Sequence, residues 1–134
     1  MHAYGLNILA IVVAAAATFL LGGPWYSAKL FGTAWNREMN RGEKTGEGHH
    51  PARVFAVSFL FALIAAFAFA WMLGPQPELG HALTMGAVAG FCFVAASFGI
   101  NYQFAGRSTL AWAIDGGYHT VQFLIFGLVL GLWH

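Results

Sequence analysis

Four apolar stretches dominate this sequence, at residues 5–25, 52–73, 80–104 and 109–133. Each is about as long as the roughly 20 residues that a helix needs to cross the hydrocarbon core of a bilayer. A helix bonds its own backbone groups, which lipid cannot do, so each stretch is expected to span as a helix. The fold class that follows is an all-α membrane protein. It is one four-helix transmembrane bundle over residues 1–134, with an interfacial amphipathic helix after the first span.

Composition supports lipid as the solvent. The chain has 134 residues, 59% of them hydrophobic and 8% charged, whereas a soluble domain carries about 25% charged residues. A soluble fold this small exposes a large share of its surface, and six Lys/Arg with five Asp/Glu cannot cover it. A net charge of +1 without a basic stripe excludes nucleic acid as a partner. The one cysteine, Cys92, lies in an apolar run. It can form no intrachain disulfide and reads as a small buried residue. The first stretch has no basic residue before its apolar part. Trp25-Tyr26 also stands where a signal peptide would have small residues, so an uncleaved helix is expected.

The sizeable polar segment runs over residues 27–51. Over residues 29–39, Leu30, Phe31, Ala34 and Trp35 share one side of a helix, and Lys29, Thr33, Asn36 and Arg37 the other. That suits a short helix on the membrane surface. Residues 40–48 are glycine-rich and charged and read as a mobile loop. Lys29, Arg37, Arg41, Lys44 and Arg53 cluster around this connection, and Arg107 lies in the third. The positive-inside rule therefore makes the 26–51 connection cytoplasmic, with both termini outside a cell (inner) membrane. The aromatic residues agree. Trp25, Tyr26, Tyr102 and Trp112 fall near the inner interface, and Tyr4, Trp71 and Trp133 near the outer one.

Between helices in lipid, attraction comes from close backbone approach and hydrogen bonds rather than from apolar burial. Small residues recur in every span: Ala10, Ala14 and Ala17; Ala62 and Ala66; Ala82, Gly86 and Gly90; Gly116-Gly117, Gly127 and Gly131. They serve either internal packing or an oligomer seam. Gly127 and Gly131, near the outer end, are the candidates for the seam.

Ionisable groups inside a membrane cost at least about 2.5 kcal/mol near its centre and so point to function by default. The last span carries Asp115, His119 and Gln122 on one face. At 1.5 Å per residue, Asp115 lies about 9 Å and His119 about 15 Å inward from Thr109. Thr18, Ser58 and Ser97 fall at a similar depth in the other three spans. These groups either pin the bundle to one another or line a pocket open to the cytoplasm. In the second reading Asp115 and His119 exchange protons. His49-His50 beside Glu47 lie in the loop with no fixed geometry, so no metal site and no cofactor are expected. The sequence has no nucleophile elbow, phosphate loop or paired catalytic carboxylates, which disfavours enzyme chemistry.

Gly22-Gly23-Pro24-Trp25-Tyr26-Ser27, followed by Leu30-Phe31-Gly32 and Trp35, resembles the start of a bacterial membrane family called domain of unknown function 1761. Asn101-Tyr102, Arg107-Ser108, Gly117-Tyr118-His119 and Gly127 through Trp133 resemble its closing helix. The resemblance implies a small four-helix membrane protein with no assigned activity. It marks Trp25, Tyr26, Ser27, Phe31, Trp35, Tyr118 and His119 as site candidates. That family more often has Asn just before Gly-Tyr-His, which shifts a proton-relay role from Asp115 towards His119. The leading functional expectation is small-solute or proton-coupled binding or transport by a homo-oligomer. The rival is an accessory or scaffold protein contacting another membrane protein. A weaker third is a membrane enzyme acting on a lipid or quinone with His119 as acid or base.

Overall fold

The computed structural model describes residues 2–39 and 49–134. The loop expected over 40–48, with Arg41 and Lys44, lies outside the described residues. Strands β1 (His2–Ala3) and β2 (Leu6–Asn7) pair antiparallel around Tyr4-Gly5. Tyr4 and Gly5 have φ of 55° and 73°, the left-handed pair that a two-residue hairpin turn requires. This ribbon takes up the residues expected to open the first span. Helix α1 therefore runs Ile8–Trp25, with the Asn7 side chain accepting from the Ala10 amide as its cap.

Helix α2 (Gly32–Glu38) follows a tight reversal in which the Gly32 amide donates to the Ser27 carbonyl. A Cβ at Gly32 would lie 2.2 Å from the Tyr26 carbonyl oxygen, so only glycine admits this turn. The helix starts three residues later than the amphipathic pattern suggests. It packs on the last span, where Trp35 reaches Asp115; Gly32 and Asn36 are buried, while Leu30 and Phe31 are exposed.

Helix α3 (Pro51–Leu73) has Pro51 in its first turn, where the missing N–H costs nothing, and the His50 ring capping the Ala52 amide. Beyond Gly74, at φ 89°, the third span runs over Leu79–Ala105 in three parts. These are α4 (Leu79–Ala87), a π-helical segment (Val88–Ala95) and α5 (Ala96–Ala105). Ser108 caps the last helix, α6 (Thr109–Leu132), by accepting from the Ala111 amide. Four helices are thus long and apolar enough to cross a membrane: Ile8–Trp25, Pro51–Leu73, Leu79–Ala105 and Thr109–Leu132.

α6 packs on every other helix, most extensively on α4 and the π-helical segment, while α3 rests chiefly on α1. The α1–α3 seam is made of alanine: Ala10, Ala14 and Ala15 against Ala62, Ala66 and Ala70, closed by Phe69, Phe126 and Leu130. The seam of α6 with the third span is made of glycine in antiparallel register. An added Cβ would lie 2.7 Å from the Thr120 Cα at Gly90, and 2.4 Å from the Phe123 carbonyl oxygen at Gly86. At Gly127 it would lie 2.4 Å from the Ala82 carbonyl oxygen, and at Gly131 2.9 Å from the Leu79 side chain. Gly127 and Gly131, expected at an oligomer seam, are thus engaged within the chain, where their missing side chains let two backbones touch. Cys92, expected to be buried, is exposed on the outer face of the π-helical segment. Phe55, Phe61, Ile64 and Trp71 of α3 are exposed too, a surface suited to lipid.

Candidate functional site

Both ends of the first polar connection and the α5–α6 turn lie at one end of the bundle, and there the chain brings its aromatic donors to one carboxylate. Asp115 sits on the second turn of α6 and is only 6% exposed. The Tyr26 hydroxyl, just past α1, donates to its Oδ1. The Tyr102 hydroxyl of α5 donates to Oδ2. The indole Nε1 of Trp35, from α2, donates to Oδ2 at 3.1 Å. Three elements thus end on one side chain. Among the described residues the ion pair is Arg37–Glu38, so Asp115 is held by neutral donors. Burial, and after it the Asp115 charge, push the Tyr26 phenol above its ordinary range. That keeps it protonated and able to donate.

Further aromatic contacts brace the cage. Trp25 Nε1 donates to the Ile114 carbonyl at 3.0 Å, and the Tyr118 hydroxyl to the Thr18 carbonyl at 2.9 Å. The Tyr26 ring meets the Trp35 ring edge-on at 5.6 Å and lies 5.6 Å from Tyr118, while Phe31 covers Trp25 at 4.9 Å. Trp112 Nε1 donates 2.7 Å to the Ala95 carbonyl at the end of the π-helical segment, and Gly99 leaves room for that indole. Arg107 reaches the Met39 carbonyl at 3.2 Å, tying the end of α2 to the α5–α6 turn.

One turn deeper, His119 Nδ1 lies 2.6 Å from Gln122 Oε1, and its ring stacks on Phe98 at 5.0 Å. Asp115 and His119 share a helix face as expected, but each is hydrogen-bonded to other partners. The hydroxyl layer does not assemble. Thr18 is fully buried and donates to Ala15 of its own helix at 3.0 Å, whereas Ser58 and Ser97 are exposed on the outside of the bundle. Depth along a helix does not set rotation about its axis, and these two helices turn their hydroxyls away. Ser27 bonds back to the Pro24 carbonyl at 2.8 Å and helps end α1. Tyr102, an interface aromatic and part of the Asn101-Tyr102 element in the sequence, reaches Asp115 through the length of its side chain rather than through the depth of its backbone. A hollow at the opposite end, between Leu6, Ala70, Pro75, Pro77 and Leu130, holds about 10 Å³, room for one water.

A family model described as "Protein of unknown function (DUF1761)" matches the chain over residues 9–131. Comparisons with curated proteins and with solved structures gave no match. The Trp25-Tyr26, Trp35 and Tyr118 elements that carried the family resemblance all meet around Asp115.

Proposed function

We propose a function from the site itself, because the chain belongs to the DUF1761 family, whose description assigns none. The protein is a membrane-embedded binding or transport protein for a small solute, and Asp115 is the group that engages it. One observation carries this reading: a buried carboxylate inside a span meets three donors and no cationic side chain among the described residues. Neutral donors lower the cost of a charge in a membrane without cancelling it, and such charges mark solute and proton paths. Register alone is achieved without a charge, by hydrogen bonds worth about 0.6 kcal/mol each. A proton or a positively charged solute is what completes this site.

The distribution of Lys and Arg supports a cytoplasmic position for the Asp115 end. A homo-oligomeric working unit would use a face other than Gly127 and Gly131, which pack inside the chain. Native mass spectrometry of the full chain, released gently from its own membranes, tests the reading. The wild type should carry a discrete non-lipid adduct that Asp115→Asn loses. A bare chain in both, or a stoichiometric second protein held equally by both, overturns it. Asp115 would then be the knot of an accessory protein.

A further inference from the structure

The way the Asp115 oxygens are occupied narrows what the site takes. An anion is repelled by the carboxylate, and a neutral solute gains little from it. A divalent metal ion wants several oxygen or nitrogen ligands, and no group of three His, Cys, Asp or Glu stands together among the described residues. Beyond a bare proton, an organic cation is the solute that suits the site, and the donors already present choose between its kinds. A carboxylate offers about four acceptor positions; Tyr26, Tyr102 and Trp35 fill three. An ammonium or guanidinium with several N–H groups must displace those donors or leave its own unpaired in lipid, where each unpaired group is costly. A cation with no N–H has no such need.

The rings supply what such a cation binds. Tyr26, Trp35 and Tyr118 form a connected wall beside the carboxylate, continued by Trp25 and Phe31. Aromatic faces attract cations within about 6 Å, and more strongly away from water. Trp35 brings its ring to this wall from α2 (Gly32–Glu38), where it stands edge-on to Tyr26 beside the carboxylate.

Resting on the assignment of Asp115 as the solute-engaging group, we infer that the site binds a quaternary ammonium cation, recognised by its charge and by the ring faces rather than by hydrogen bonds. Calorimetric titration of the purified full chain in detergent, with three probes of similar size, tests this. Benzyltrimethylammonium should bind saturably, benzylammonium about tenfold or more weaker, and phenylmethanesulfonate not at all. Asp115→Asn should weaken the first about tenfold or more, a difference of about 1.4 kcal/mol. Trp35→Leu, which keeps the carboxylate, should weaken it severalfold; it serves as the second variant should Asp115→Asn lose its helical signal. Equal binding of the two cations, or undiminished binding in both variants, overturns the inference. If the native adduct depends on Asp115 while benzyltrimethylammonium fails to bind the wild type, the ligand class falls and the function above stands. If Asp115→Asn changes neither, both fall.

Discussion

Adding one methyl group at Gly127 should weaken the whole bundle, and the size of the effect follows from the seam. The new Cβ would lie 2.4 Å from the Ala82 carbonyl oxygen, and ordinary contact begins at 3.4 Å. The difference, 3.4 − 2.4, is 1.0 Å, and both atoms belong to helical backbone that cannot rotate aside. α6 and α4 must therefore separate by about that distance. A gap of 0.5–1 Å already forfeits roughly a quarter to a half of the dispersion energy of each contact it opens, and overpacked sites cost about 1–3 kcal/mol. Gly127→Ala is expected to cost about 1–3 kcal/mol, and Gly86→Ala, with the same 2.4 Å approach to the Phe123 carbonyl oxygen, a similar amount. The double variant should lose less than the sum, because one shift of the same two helices relieves both methyls. Gly23→Ala is the control: nothing lies within 4 Å of its added Cβ, and Ala favours a helix over Gly by about 1 kcal/mol. Reversible unfolding in mixed detergent micelles, followed by helical circular dichroism, measures all four. Gly127→Ala as stable as the wild type would refute the internal seam and return that face to an oligomer.

The carboxylate cage yields three further expectations. Asp115→Leu removes the acceptor for three part-buried donors, and a fully buried donor left unpaired costs about 1–3 kcal/mol; with water able to reach these in part, a loss of about 1–3 kcal/mol in total is expected in the same assay, and a loss below about 0.5 kcal/mol contradicts the cage. Trp25→Phe deletes the bond to the Ile114 carbonyl but keeps a ring, so it should cost about 0.5–1.5 kcal/mol; red-edge fluorescence would check that the remaining indoles are undisturbed. Because Tyr26 is held above its ordinary value, its neutral form is favoured by the fold. Its contribution to stability is complete below the ordinary value of about 10 and is lost as pH rises towards the folded value, since the unfolded phenol ionises first. At about pH 11, wild type and Tyr26→Phe should show equal tyrosinate absorbance. More tyrosinate in the wild type would mean that the cage is open to water.

The spans were legible because hydropathy over about twenty residues is a strong signal in lipid. Their ends were less so: the Tyr4-Gly5 turn and the Asn7 cap are local geometry that apolarity does not encode. The sequence singled out Asp115, Tyr26, Trp35 and Tyr118, yet it paired Asp115 with His119 and gave the rings no common partner. Depth counted along the backbone ignores the length and lean of side chains. Helical side chains tilt back towards the N-terminus of their helix, so Tyr102 leans inward from one end of its span while Asp115 leans outward towards it. Rotation was the other missing quantity, and it removed Ser58 and Ser97 from the layer. The small-residue stripes were visible too, but a glycine face does not name its partner. For Gly127 the partner was Ala82 of the same chain rather than a second copy.

Order of manufacture adds a consequence to the central position of α6. Trp25, Tyr26, Trp35 and Tyr102 leave the ribosome before the groups they donate to, all of which belong to α6. Until the last span enters the bilayer, four aromatic donors wait without their acceptors, and the glycines of the third span face lipid instead of backbone. A chain stopped before residue 109 is therefore an apolar protein with its polar contacts open, an incomplete state of the kind that aggregates. The arrival of α6 thus closes the carboxylate cage and the glycine seam in one step.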